Sequence, residues 1–159
     1  YEWGESNIMV RPHPMMRENF VKTGVIEQYQ IDDIISLWEK KRIQMDSNKS
    51  IEETFESTDV LISDKSSVIP MFFLTGKPII YCSIECEYGS LFSTILPGLY
   101  IANTWKELSE LIKMLLEHND PLCSVRKKII EEYFAHNSSA TAKIVNAIIN
   151  DFEESKRET

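Results

Sequence analysis

Two short stretches of this sequence bring together residue types suited to a phosphorylated substrate. The first is Arg11-Pro12-His13-Pro14. Each proline pushes the residue before it toward an extended backbone and withholds its own N–H. The expected product is a stiff spur carrying a guanidinium, whose fork matches phosphate oxygens. Beside it stands an imidazole, able to donate or accept a proton near neutral pH. The second stretch is Ser63-Asp64-Lys65-Ser66-Ser67. A helix starting there aims its unpaired N–H groups and positive dipole end into the loop, an arrangement that holds anions. The hydroxyls of Ser66 and Ser67 add donors, and Pro70 falls in the first turn, where its missing N–H has no intrahelical partner to lose. Each stretch also has a plainer reading. His13 can cap the following turn, and Arg11 can pair with a surface acid. Serine is a good N-cap, which accounts for one serine but not for Asp64, both serines and the following "GKP" together.

The elements around these stretches decide where they point. "NIMV" (7–10) reads as a short buried strand, "MMRENF" as a helical turn, and 31–41 as a helix with Ile31, Ile34, Ile35 and Trp38 on one stripe. "RIQMD" reads as the next strand, and Ser50 with Glu53 is a capping-box pattern for a short helix after it. "VLIS" (60–63) and "KPIIYC" (77–82) read as strands buried on both faces, with a helix over 66–75 between them. Residues 83–97 read as a long loop and "GLYIAN" as a last strand. Three helices close the chain, the first capped by Thr104 with Glu107, the second opening on a proline, the third carrying Ile144, Ile148 and Phe152. Strands alternating with helices predict an α/β fold, a Rossmann-like parallel sheet with helices on both faces. Ligands of such sheets bind beyond the carboxyl ends of the strands, which selects the loops after "NIMV" and after "VLIS".

Composition narrows the partners. At 159 residues the chain suits one domain and buries roughly 68–70% of its extended surface. The 43% apolar and 26% charged residues are those of an ordinary globular protein. A net charge of −8 argues against nucleic acid, and against an anionic membrane gripped by this segment alone. Cys82, Cys86 and Cys123 form an odd set without a zinc-ligand spacing; they fit a reducing compartment and a structural role. No apolar run approaches the ~20 residues of a membrane span. His118 and His136 read as solvated, Glu52, Glu53 and Glu56 as an exposed helical face, and Glu85 and Glu87 as loop residues on the ligand side. A start at Tyr1, close to a strand, suggests a piece of a larger protein.

"RPHP", then "STDVLISDKSSVIPMFFLTGKPIIYC", then "FAHNSSATAKIVNAI" resemble, in order and over nearly the whole chain, the carboxyl-terminal half of the CDP-glycerol glycerophosphotransferases, the teichoic-acid polymerases and primases of bacterial cell walls. The resemblance implies the carboxyl-terminal, nucleotide-binding half of a GT-B fold, with residues 1–152 as the donor domain and 153–159 as a charged tail. It implies transfer of glycerol phosphate from CDP-glycerol to a hydroxyl of a lipid-linked polymer, without a cofactor or metal. The acceptor and the membrane contact would fall to an absent amino-terminal half, which places the full protein in the cytoplasm, peripheral at the inner face of the cell membrane. His13 matches the histidine of the family's Arg-x-His-Pro, which implies a role on the donor phosphates or the leaving group, and Arg11 would add charge. Asp64, Ser66 and Ser67 match the family's Asp-Tyr-Ser-Ser, which implies that they hold the donor pyrophosphate at a helix start.

The sequence departs from that pattern in places. Lys65 replaces the usual tyrosine, and either adds charge near phosphate or points to solvent. Pro70-Met71 stands where the family commonly has an aromatic followed by an acid; if that acid contacts the donor's sugar or glycerol, Met71 cannot replace it, and the donor then differs from CDP-glycerol or activity is weak. The family's second catalytic histidine has no match and is expected upstream of Tyr1. Two alternatives stay open: a GT-B domain using a UDP- or CMP-sugar, since one architecture serves many donors, and a nucleotide-binding domain without turnover.

Overall fold

A computed structural model of the chain describes residues 7–12, 15–41, 43–46, 48, 50–82 and 89–134. It divides into two compact units, Tyr1–Ser57 and Thr58–Thr159. In each, parallel strands are flanked by helices, the Rossmann-like α/β pattern that the alternation predicts.

The first unit runs β1 (Ile8–Val10), α1 (Met16–Lys22), α2 (Gln28–Lys40), β2 (Ile43–Met45) and α3 (Ile51–Ser57). β1 and β2 pair in parallel with Val10 opposite Met45, so the chain leaves both strands at one edge, as Arg11 and Asp46. α2 starts ahead of the predicted Ile31 because Gln30 Oε1 accepts the Glu27 N–H at 2.8 Å, closing the first turn. α3 follows Ser50, whose Oγ accepts the Glu53 N–H at 3.3 Å, the cap that the Ser-x-x-Glu spacing predicts.

The second unit runs β3 (Leu61–Ser63), α4 (Val68–Phe73), β4 (Ile79–Cys82), α5 (Ser90–Ile95) with a 3₁₀ turn at Leu96–Gly98, β5 (Tyr100–Ala102), α6 (Trp105–Leu116) and α7 (Cys123–Ile129), which widens into a π turn at Ile130–Phe134. Its parallel sheet has the order β3-β4-β5. β4 is the central strand, and its Ile79, Ile80 and Tyr81 are fully buried, as are Ile69, Phe72 and Phe73 of α4 and Ile95 of α5. Each such side chain stabilises the fold by about 1.5–3 kcal/mol relative to an exposed one.

Two expectations change here. Ile62 in β3 is 45% exposed, so this strand packs on one face; an apolar run does not reveal how many faces are covered. Residues 90–98 are helical rather than loop. Their pattern is too short to carry a period, and tertiary packing decides: Ile95 is buried and Phe92 meets Tyr81 edge-on at 5.1 Å.

α6 carries the predicted capping box. Thr104 Oγ1 accepts from Glu107 N at 3.2 Å, and Glu107 Oε2 accepts from Thr104 N at 3.2 Å and from Asn103 N at 2.7 Å. α4 ends in a turn that needs Gly76 at φ +72°. Gly98 is required for space, because a Cβ there would lie 2.8 Å from Phe73 Cε2 and 2.9 Å from Arg126 Cγ. The predicted helix carrying Ile144, Ile148 and Phe152, and the charged tail, lie outside the described residues.

Candidate functional site

At the carboxyl edge of the first unit's sheet, the Asp46 carboxylate is the hub. Its side chain is 0% exposed, against 35% for Arg11. It accepts from Arg11 Nη1 at 2.5 Å, from Thr54 Oγ1 at 2.6 Å and from the Asn48 backbone N–H at 2.9 Å. Burial pushes its pKa up, and the hydrogen bonds from Thr54, Asn48 and Arg11, with the Arg11 charge, pull it below the ordinary 3.8. The carboxylate is therefore ionised and fully used within the protein. Arg11 Nη1 also donates to Thr54 Oγ1 at 3.0 Å, with a longer contact to the Asn48 carbonyl at 3.4 Å. Every contact that Arg11 makes among the described residues passes through Nη1. Glu52, at the start of α3, is held below the ordinary carboxylate range by its own backbone N–H and by Ser50, with a contribution from the Arg11 charge.

Arg11 thus pairs with an acid, but a buried one and not the surface acid of the plain reading. Sequence reasoning did not single out Asp46 or Thr54. A signal for Asp46 was present: it follows "RIQM", and the rule selecting residues beyond strand carboxyl ends applies to β2 as much as to β1. Thr54, inside a helix, carried none. His13 lies outside the described residues, as do Glu85, Glu87 and Cys86.

In the second unit Asp64, Ser66 and Ser67 lie on the turn from β3 to α4. Asp64 and Ser67 are exposed and Ser66 half-buried. Ser66 Oγ accepts the Val68 N–H at 3.3 Å, so the local capping role belongs to Ser66. Ser67 stands at the N-cap position but its hydroxyl makes no cap bond. α4 has six residues, too few turns for a full macrodipole, so attraction for an anion there rests on hydroxyl and N–H donors. Lys65 is exposed on the same turn.

Asp64 also borders a cleft of about 290 Å³ beyond the strand ends, lined with Cys82, Asn103, Thr104, Trp105 and Leu108. That volume is at the low end for a ligand pocket and suits one portion of a larger substrate. Burial, and then the Asp64 carboxylate, push the Cys82 thiol pKa up. The thiol stays protonated at neutral pH and is a poor nucleophile. Trp105 is 66% exposed at the cleft's rim, an aromatic face at the ligand edge that sequence reasoning took only for part of a helix start. Among the described residues no group of His, Cys, Asp and Glu gathers as a metal site requires, and no helix is long and apolar enough to cross a membrane.

With these sites located, comparison with known families decides the chain's relationship. The model of the family described as CDP-Glycerol:Poly(glycerophosphate) glycerophosphotransferase matches residues 3–150. The chain belongs to this family. No curated protein and no solved structure matches it. The glycerophosphotransferase family indicates a transferase that draws on a nucleotide-activated donor. Within it, the departure at Met71 has a location: the side chain is 46% exposed on α4.

A second cluster in this glycerophosphotransferase unit is structural. Arg126 is fully buried. It donates from Nε to the Gly76 carbonyl at 2.9 Å and from Nη1 to the Gly98 carbonyl at 3.3 Å, and its Nη2 pairs with Asp120. Asp120 in turn accepts from Tyr100 Oη at 2.7 Å, and Tyr100 Oη accepts the Leu122 N–H at 3.1 Å. Burial, and its bond to the Asp120 carboxylate, push the Tyr100 pKa up, so the phenol remains a donor. The network ties the end of α4, the 3₁₀ turn, β5 and the start of α7 together.

Proposed function

We propose that the chain is the donor-binding domain of a glycerophosphotransferase that moves glycerol phosphate from CDP-glycerol to a hydroxyl of a lipid-linked wall polymer. Residues 1–152 form that domain and 153–159 a charged tail. The family match over residues 3–150 is the observation that carries this reading. The acceptor hydroxyl attacks the phosphorus that bears glycerol, and its proton is released to solvent as the new O–P bond forms. The bond from that phosphorus to the bridging oxygen breaks, and CMP leaves with the electron pair.

Chemistry of this kind is governed by positioning and by neutralising charge that builds on the phosphates. Arg11 supplies fixed positive charge. His13, next in the spur, acts on the donor phosphates or protonates the leaving oxygen. Ser66 and Ser67 donate hydroxyl hydrogen bonds to phosphate oxygens. Asp64, itself an anion, suits the donor's hydroxyls better than its phosphates. The reaction calls for no cofactor. Contact with the acceptor and with the membrane's cytoplasmic face belongs to a further part of the full protein.

A thermal-shift panel tests the donor. CDP-glycerol and CMP should raise Tm in proportion to the logarithm of ligand concentration above Kd, with UDP-sugars inactive. A shift by UDP-sugars alone points to a sugar transferase, and silence from every ligand points to a domain without turnover.

A further inference from the structure

The Arg11 guanidinium is anchored at one nitrogen. Among the described residues its contacts to Asp46, Thr54 and Asn48 all use Nη1. The edge formed by Nε and Nη2, the edge that grips phosphate bidentately, has no partner there. The anchor is itself braced. Thr54, buried on α3, donates to the same Asp46 oxygen that receives Arg11, at 2.6 Å. Asn48 contributes its backbone N–H to the other oxygen at 2.9 Å and its Nδ2 to Thr54 Oγ1 at 3.3 Å. A long flexible side chain is thereby fixed at its tip while a third of it stays open to solvent.

We propose that Asp46 and Thr54 are positioning residues, which hold Arg11 with its Nε–Nη2 edge presented to the diphosphate of the donor. This rests on the donor reading above and adds to it the residues that set the orientation. It also carries a distinctive sign. Asp46 is a carboxylate close to a site for an anion, so on Coulomb grounds alone its removal should tighten diphosphate binding. If its role is to orient Arg11, its removal weakens binding, because the freed guanidinium must be ordered again by the ligand.

The experiment is calorimetric titration of CDP-glycerol and of inorganic pyrophosphate into the full chain, well below each variant's Tm. Thr54→Val leaves every charge in place and removes the brace; CDP-glycerol affinity should fall severalfold, and Thr54→Ser should restore it. Asp46→Asn should weaken binding by about tenfold, the scale of one charge-assisted hydrogen bond. Arg11→Lys, which keeps the charge and loses the fork, should weaken it at least as much. Should Asp46→Asn fail to fold, the Thr54 pair decides. Wild-type affinity for CDP-glycerol in Thr54→Val, or tighter binding in Asp46→Asn, overturns the positioning role and leaves the donor reading standing. Wild-type binding of pyrophosphate without CDP-glycerol, weakened in Thr54→Val, keeps the positioning role and removes the donor. No binding of either ligand by the wild type removes both.

Discussion

Arg126→Met should be among the most damaging single changes in the second unit. The guanidinium is fully enclosed and satisfies two carbonyls, at 2.9 Å on Gly76 and 3.3 Å on Gly98, besides its pair with Asp120. Methionine keeps much of the aliphatic volume, so little of the loss is cavity. What goes is hydrogen bonding from a charged donor: each such bond is worth about 1.5–3 kcal/mol alone, and bonds within one network do not add. The carbonyls left behind are desolvated, and Asp120, 22% exposed at its side chain, keeps Tyr100 and some water. The expected destabilisation is about 3–5 kcal/mol, the range for breaking a buried pair from one side. That is a large share of the ~5–15 kcal/mol holding a typical domain. Urea unfolding followed by circular dichroism at neutral pH measures it, and thermal melting should show a fall of roughly 10 °C for a chain of this size. Asp120→Asn should cost less, and the double variant less than the two singles combined, because either change already breaks the shared contact. A loss under about 1 kcal/mol for Arg126→Met, or strict additivity with Asp120→Asn, would show that the network does not hold the unit together.

Three further outcomes follow from local geometry. Gly98→Ala should destabilise by about 1–3 kcal/mol in urea titration, the usual range for overpacking, because the new methyl would sit 2.8 Å from Phe73; a neutral result would mean the ring and the Arg126 stem yield freely. His118 closes α6 at φ +59°, with His118 N–H donating to the Leu115 carbonyl at 3.0 Å and Asn119 N–H to the Met114 carbonyl at 3.1 Å. His118→Gly relieves the left-handed strain and should stabilise by about 0.5–1 kcal/mol, read as a higher Tm; a lower Tm contradicts it. The Asp46 carboxyl titrates below 3.8 in the folded chain. Its contribution is complete above the unfolded value and is lost as pH falls through the lower folded one. The stability gap between wild type and Asp46→Asn should therefore narrow below about pH 4, and a gap that stays constant from pH 6 down to the acid transition rules the linkage out.

Much of the fold was legible because it depends on local chemistry. β4 declares itself through consecutive β-branched and aromatic residues, and α6 through Thr104 and Glu107, whose capping bonds form as the spacing implies. α5 was missed because its six residues carry no readable period, and the ring contact of Phe92 with Tyr81, distant in sequence, is invisible to a local pattern. Arg126 reads in sequence as one of three adjacent cations near a helix end. Its burial follows from Asp120 and two glycine carbonyls converging on it, information that no local pattern holds. The candidate site divides the same way. Arg11 and Asp64 were found from motif chemistry and strand ends. Asp46 follows a strand as Arg11 does, so the strand-end rule could have reached it, but its pairing with Arg11 comes from register, Val10 beside Met45; Thr54, inside α3, carried no local signal.

The central claim is that this chain serves glycerol phosphate transfer from CDP-glycerol, with His13 acting on the donor. Its most direct measurement is transfer of labelled glycerol phosphate from CDP-glycerol to a lipid-linked acceptor by the full-length enzyme, wild type against His13→Ala. Transfer by the wild type is expected. So is a fall in kcat of about 10²–10⁴-fold in the variant, the usual worth of a positioned proton donor or oxyanion partner, with Tm unchanged. Near-normal turnover by His13→Ala, or a wild type that uses a UDP-sugar and ignores CDP-glycerol, would contradict it.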